Sequence, residues 1–228
     1  MIPNDVRNHS AFYFHGSYMG RELTPRERRH QRTQQAILDA ARRIIAQEGI
    51  DNLSMRGIAK AIDHSPAGLY EYFGGKDEII QAVCQQGHAR LIEYMGRADA
   101  SLPVDEYLIE LGTAYIDFAV RNPDHFLLMF ASSATGASPS ATQESAMEEM
   151  AMEGSSFGLL LGAVQRGIDE GVFQAREGYG TLEMAHTAWA MVHGMAMLRL
   201  GHLAHFPMNF AAVEQEGLQR LNSGLKGG

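Results

Sequence analysis

Between positions 65 and 76 the chain reads Ser65-Pro66-Ala67-Gly68-Leu69-Tyr70-Glu71-Tyr72-Phe73-Gly74-Gly75-Lys76, a run whose types and spacing suit contact with a phosphate backbone. Ser65, Ala67 and Gly68 are small enough to let a helix approach a groove, while the Tyr70 and Tyr72 hydroxyls and the Lys76 ammonium can reach phosphate oxygens. Leu69 and Phe73, one helical turn apart, supply the inward face. Tyr72 also fits a second reading, a half-buried core aromatic. Upstream, Arg26, Arg28, Arg29 and Arg32 form a basic run. Such runs are usually a solvated face. Beside the 65–76 run, Arg28, Arg29 and Arg32 are placed for phosphate contact or minor-groove entry.

Other residues carry weaker chemical signals. Gly154-Ser155-Ser156-Phe157-Gly158 matches the G-x-S-x-G pattern of hydrolase nucleophiles, which works only on a sharp strand-to-helix turn. Here a helical-looking stretch, Met147 to Glu153, precedes it. His186 and His193 share a helical face and His202 and His205 follow, but no carboxylate or cysteine stands at metal-binding spacing, so neither a metal nor another cofactor is expected. Cys84 reads as a buried thiol, with a redox switch as the alternative. Nine of the 13 methionines fall between Met129 and Met208. Methionine adapts to irregular apolar space, so Tyr115, Phe118, Phe126, Met129, Phe130, Met147, Met150, Phe157, Trp189 and His193 are candidates to line a cavity for a small apolar effector. Taken singly, each reads first as a core side chain, and only the group points to a cavity.

The elements that must position these residues are all helical. Thr24-Pro25-Arg26-Glu27 combines an N-cap, a first-turn proline and a capping-box glutamate, and predicts a helix running to about residue 48, stopped by Gly49. Ile37, Ala41, Ile44 and Ile45 mark its inner face. Ser54 opens a short helix to Ile62, and Ser65-Pro66 opens a second to Phe73, with only Asp63 and His64 between them. Two short helices joined by a tight turn and braced by a third make a helix-turn-helix, here about 54–73. A connecting helix follows from Lys76 to about Arg97, and further helices are expected at 104–121, 123–131, 142–170, 179–205 and 209–225. Ser132 to Ser140 reads as a loop, and the first twenty residues as a flexible arm. The fold expected is all-α, about nine helices: an arm over 1–23, a three-helix DNA-binding unit over 24–75, and a helical ligand-binding and dimerisation unit over 76–228.

Charge supports that division. The chain carries a net −8, yet residues 1–76 hold 11 Lys/Arg against 8 Asp/Glu, leaving the acidic excess to the remainder. A basic front and an acidic back suit a polyanion-binding module attached to one that stays off DNA. No apolar run is long enough for a membrane span, and a single cysteine fits a reducing cytoplasm. The stretch Thr187 to Leu198 is apolar almost all round and must be covered on most sides, which with Ala188, Gly194 and Gly201 makes the last two helices the expected homodimer interface.

Residues Ala36 to Ile80, with Glu48-Gly49, Ser54-Met55-Arg56-Gly57-Ile58-Ala59, Gly68-Leu69-Tyr70-Glu71-Tyr72-Phe73 and Lys76 in sequence, resemble the N-terminal domain of the TetR (tetracycline repressor) family. The Trp189 to Gly194 element, Trp-x-x-x-His-Gly, is similar to a subgroup of that family named for the triplet. The resemblance implies that Arg56 reaches a base edge or phosphate and that Ser54 caps its helix and touches the backbone. It further implies that Ser65, Pro66, Ala67 and Gly68 face the groove, and that Tyr70 and Lys76 clamp phosphates, with Tyr72 on the same exposed side. The implied function is a regulator, a repressor in the first instance, that grips a palindromic double-stranded DNA operator as a homodimer and is released by a small apolar effector, without enzymatic activity. The rival reading is a helical small-molecule carrier, or a hydrolase using Gly154 to Gly158.

Overall fold

The computed structural model describes residues 22–134 and 154–227. Among these, nine α-helices account for nearly all regular structure, and β-structure is confined to an isolated Arg176–Tyr179 bridge. The all-α expectation is met. The helices are α1 (Pro25–Glu48), α2 (Met55–Ala61), α3 (Pro66–Leu69), α4 (Lys76–Met95), α5 (Val104–Arg121), α6 (Pro123–Ala134), α7 (Ser156–Asp169), α8 (Thr181–Leu200) and α9 (Phe210–Leu225).

Local capping sets most of the starts. Thr24 Oγ1 accepts from the Glu27 N–H at 3.2 Å while Glu27 Oε2 accepts from the Thr24 N–H at 2.7 Å, satisfying two orphan donors of α1 reciprocally. Ser54 and Ser65 cap α2 and α3 through the N–H groups of Gly57 and Gly68, at 3.1 and 3.0 Å. Between those helices Asp63 adopts φ +52°, a left-handed conformation that aspartate tolerates, and the His64 N–H closes the turn onto the Ala59 carbonyl at 2.9 Å.

Four boundaries depart from the sequence expectation. The second short helix ends at Leu69 rather than Phe73, because successive i→i+3 bonds from Tyr70 and Tyr72 back to Ala67 and Leu69 tighten the chain and swing Phe73 into the core. Helix α6 continues to Ala134, three residues into the expected loop, since neither glycine nor proline intervenes before Gly136. The described part of the expected 142–170 helix is α7, which begins only at Ser156: Gly154 lies at φ +91°, and Ser155 Oγ caps the new helix by accepting from the Gly158 N–H at 2.8 Å. Helix α8 spans Thr181–Leu200 rather than 179–205, giving way to turns at Gly201, whose N–H bonds the Met197 carbonyl. Residues 1–21, and the 135–140 stretch expected to be a loop, lie outside the described residues.

Two apolar cores result. The first joins α1–α3 to the N-terminal half of α4 around Ile37, Ile58, Leu69, Phe73 and Ile79. The second joins the C-terminal half of α4 to α5–α9 around Leu91, Leu111, Phe118, Phe126, Val164 and Met184. Backbones come close within the second core: a Cβ on Gly112 of α5 would sit 2.7 Å from Leu218 of α9, and one on Gly87 of α4 would sit 2.5 Å from the Met129 sulfur of α6. Helix α6 belongs to both cores, giving Leu128 to the first and Phe126 and Met129 to the second.

Candidate nucleic-acid interface and aromatic cluster

The N-terminal unit displays a polar surface around α3. Tyr70 is 57% exposed, an unusual degree for a large aromatic, and Arg56, Ser65, Pro66, Ala67 and Lys76 are exposed with it. Leu69 and Phe73 anchor the same segment from beneath, fully buried in the first core. Ser54 and Ser65 are exposed, but their hydroxyls are already engaged as caps. Gly68 is half-buried rather than turned outward: a Cβ there would meet Ser65 Oγ at 3.1 Å and the His64 ring at 3.4 Å. Arg28, Arg29 and Arg32 lie exposed along the first two turns of α1, with one Arg28 guanidinium nitrogen donating to the Leu23 carbonyl.

Tyr72 does not share the exposed side. It is half-buried, with its ring stacked on His30 of α1 at a centroid distance of 4.5 Å and met edge-on by His64 at 6.4 Å. The tightened end of α3 rotates the residue toward α1, so Tyr72 braces the turn and Tyr70 is left as the outward tyrosine.

The second constellation lies in the second core, where α5, α6, α7 and α8 meet. Tyr115, Phe118, Phe126, Phe130, Phe157, Trp189 and His193 form a chain of ring contacts, with Phe126–Phe130 at 5.0 Å, Phe130–His193 at 4.4 Å and Phe157–Trp189 at 5.7 Å. Tyr115, Phe118, Phe126 and Met129 are buried, whereas Phe130, Phe157, Trp189 and His193 are only partly so. One polar string crosses the cluster: Trp189 Nε1 donates to Tyr115 Oη at 3.2 Å, and Tyr115 Oη lies 3.0 Å from His193 Nδ1. Burial raises the Tyr115 phenol well above its ordinary range, opposed only by the Trp189 bond, and burial lowers His193. Met147 and Met150 lie outside the described residues. No group of three metal-ligating side chains occurs among the described residues.

Sequence reasoning missed the joint between these two regions. Arg42 of α1 donates to Asp124 of α6 at 3.0 Å. Next to that pair His125 is 3% exposed against the Val83 backbone of α4, with no hydrogen-bond partner for its Nδ1 among the described residues. Burial, then the positive charges of Arg90 and Arg42, push its pKa down to about 4 against the smaller pull of Asp124 and the nearby Val83 backbone, so it is neutral near pH 7. Cys84 is half-buried at the same joint, its sulfur 4.0 Å from the Leu128 carbonyl. No sequence-local signal links residues this far apart. The G-x-S-x-G match resolves into capping: Ser155 starts α7, Ser156 is its first residue, and no strand precedes them among the described residues.

Comparison with known proteins places this geometry. Residues 37–83 match the family described as "Bacterial regulatory proteins, tetR family", and residues 108–221, which include the Trp189 to Gly194 element, match "Tetracyclin repressor-like, C-terminal domain". The uncharacterized HTH-type transcriptional regulator YobS of Bacillus subtilis is 31% identical over 94 residues, 41% of this chain and 49% of that protein. The chain thus spans just under half the length of the curated relatives it matches. Among solved structures, a protein of unknown function from Rhodococcus sp. RHA1 superposes with a TM-score of 0.70 at 21% identity, covering 95% of this chain and 100% of that one. PfmR, a TetR family transcriptional regulator from Thermus thermophilus, superposes at 0.64 and 21% identity, covering 83% and 98%. With two successive family matches, one over each core, this chain belongs to the TetR family of bacterial regulatory proteins.

Proposed function

We propose that the chain is a DNA-binding transcriptional repressor that grips a palindromic operator as a homodimer and releases it when a small apolar effector binds. The observation that carries the reading is the outward surface of α3. A strongly exposed Tyr70 flanked by Arg56 and Lys76 stands on a segment whose other face is locked into the first core. The groove-facing turn is short of long hydrogen-bonding side chains. Base readout therefore runs through Arg56 and through apolar or water-mediated contacts, while phosphates take Tyr70, Lys76 and the α1 arginines.

A dimer follows from that economy, because one short recognition helix needs a second half-site for specificity. The supporting surface is apolar: Leu182, Met197 and Leu198 of α8, Phe206 beyond it, and Val213 of α9 are each at least 40% exposed in the single chain. Gly194 faces open space, leaving room for a partner helix.

The test is fluorescence anisotropy with DNA from upstream of the chain's own gene. Affinity should fall about a thousandfold between roughly 50 and 200 mM salt as counterions are released. Arg56→Ala and Tyr70→Ala should each weaken binding without loss of helicity. Affinity indifferent to salt and to both substitutions overturns the DNA reading. Effector and operator must oppose each other by linkage, so a compound that binds the dimer yet leaves operator affinity unchanged overturns the switching part alone.

A further inference from the structure

The Trp189–Tyr115–His193 string fixes where its hydrogens lie. An indole nitrogen only donates, so Trp189 gives its hydrogen to Tyr115 Oη. Had His193 Nδ1 also donated to that oxygen, the phenol would accept twice and its own hydrogen would be buried without an acceptor, on a side chain 4% exposed. An unmatched buried donor is the costlier arrangement. Tyr115 therefore donates to Nδ1, and the imidazole hydrogen sits on Nε2. Among the described residues that Nε2–H has no acceptor.

Around it the surface is apolar and partly open. The imidazole is ringed by Phe130 at 4.4 Å, Phe126 at 5.5 Å and Trp189 at 6.0 Å, and Phe130, Phe157, Trp189 and His193 all keep partial exposure. We propose that this cluster receives an uncharged, largely aromatic or aliphatic ligand bearing one carbonyl-type oxygen, which accepts the hydrogen of His193 Nε2. The inference rests on the effector reading above and names that effector's chemistry. Burial keeps both Tyr115 and His193 in their neutral forms, which preserves the donor at neutral pH. The uncharged character follows from the surroundings. Between Arg121 and Arg166 the sequence has no Lys or Arg, and among the described residues no cation stands in the cluster, so a carboxylate would enter without a counter-ion.

Trp189 is the only tryptophan, so its fluorescence reports occupancy directly. The full chain, without DNA, is titrated with acetylnaphthalene, ethylnaphthalene and naphthoate. The ketone should bind about three- to tenfold more tightly than the hydrocarbon, the worth of one net hydrogen bond, with naphthoate weakest. His193→Phe should erase the ketone's advantage and leave hydrocarbon binding in place. Nitrogen NMR of the wild-type imidazole should show the Nε2–H tautomer, and this readout decides even if the variant fails to fold. Equal binding of ketone and hydrocarbon, tightest binding of naphthoate, an advantage that survives His193→Phe, an Nδ1–H tautomer, or no saturable binding of any probe overturns the proposal. Because no DNA is present, such a failure leaves the operator reading standing; a failure of operator binding leaves the ligand preference measurable.

Discussion

The two faces of α6 hold the molecule together by different physics. Toward the N-terminal unit the helix offers Asp124, His125 and Leu128, which meet an arginine from α1, the Val83 backbone of α4 and the first apolar core. Those polar contacts are directional and tolerate little displacement. Toward the C-terminal unit it offers Phe126 and Phe130, which meet Tyr115, Trp189 and His193 through ring contacts of several geometries, and Met129, buried in the second core. Aromatic and thioether packing can rearrange around a guest at modest cost. If an effector binds as proposed above, the adaptable face is the one that would re-pack around it, and the directional face the one that would carry the movement to the N-terminal unit. Helix α4, expected from sequence to connect the halves, does so, and α6 joins both cores beside it.

The largest effect should come from the adaptable face. Phe126 is wholly buried and touches Tyr115, Phe118, Phe130 and His193. Phe126→Ala should destabilise the chain by about 3–5 kcal/mol, the usual range for a buried phenylalanine, read as a lowered denaturant midpoint. If apolar ligands such as ethylnaphthalene restore part of that loss, the cluster re-packs as described. A loss below about 1 kcal/mol would mean that the face is not core at all.

The directional face should instead be acid-sensitive. His125 is held neutral in the fold, with its pKa near 4 against an unfolded value near 6.5. The unfolded chain binds this proton more readily, so the stability is fully present above about pH 6.5 and is lost as the pH falls toward 4. The full effect approaches about 3 kcal/mol. Thermal melts across that range should steepen in wild type and flatten in His125→Gln. An unchanged slope in the variant would remove His125 from the account.

What the sequence made legible follows the same line. Caps and turns are written within three or four residues, so Thr24 with Glu27, Ser54, and Ser65 with Pro66 announced their helices, and the 104–121 span agrees to the residue. The aromatic candidates came together because their residue types demand burial. Long-range partners leave no such trace: Arg42 and Asp124 are 82 residues apart, and Tyr115 and His193 are 78 apart. Tyr72 stayed open in the sequence for a similar reason. A phosphate contact beside Tyr70 and a half-buried core aromatic both fitted it, and the stacking that decides for the second comes from His30 on another helix.

The smallest expected stability effect is also the sharpest test of the joint. The Arg42–Asp124 pair is partly solvated, its side chains 27% and 39% exposed, so each alanine substitution should cost only about 0.5–1 kcal/mol. Their influence on His125 is opposite in sign. Arg42 disfavours the imidazolium, so Arg42→Ala should raise the His125 pKa; Asp124 favours it, so Asp124→Ala should lower it further. Imidazole NMR titration of the two variants reads both shifts. Loosened packing alone would let water in and move both variants the same way, toward the ordinary histidine value. Opposite shifts therefore require that α1 and α6 meet at His125 as two charged elements in register, and shifts of one sign would reduce the joint to packing.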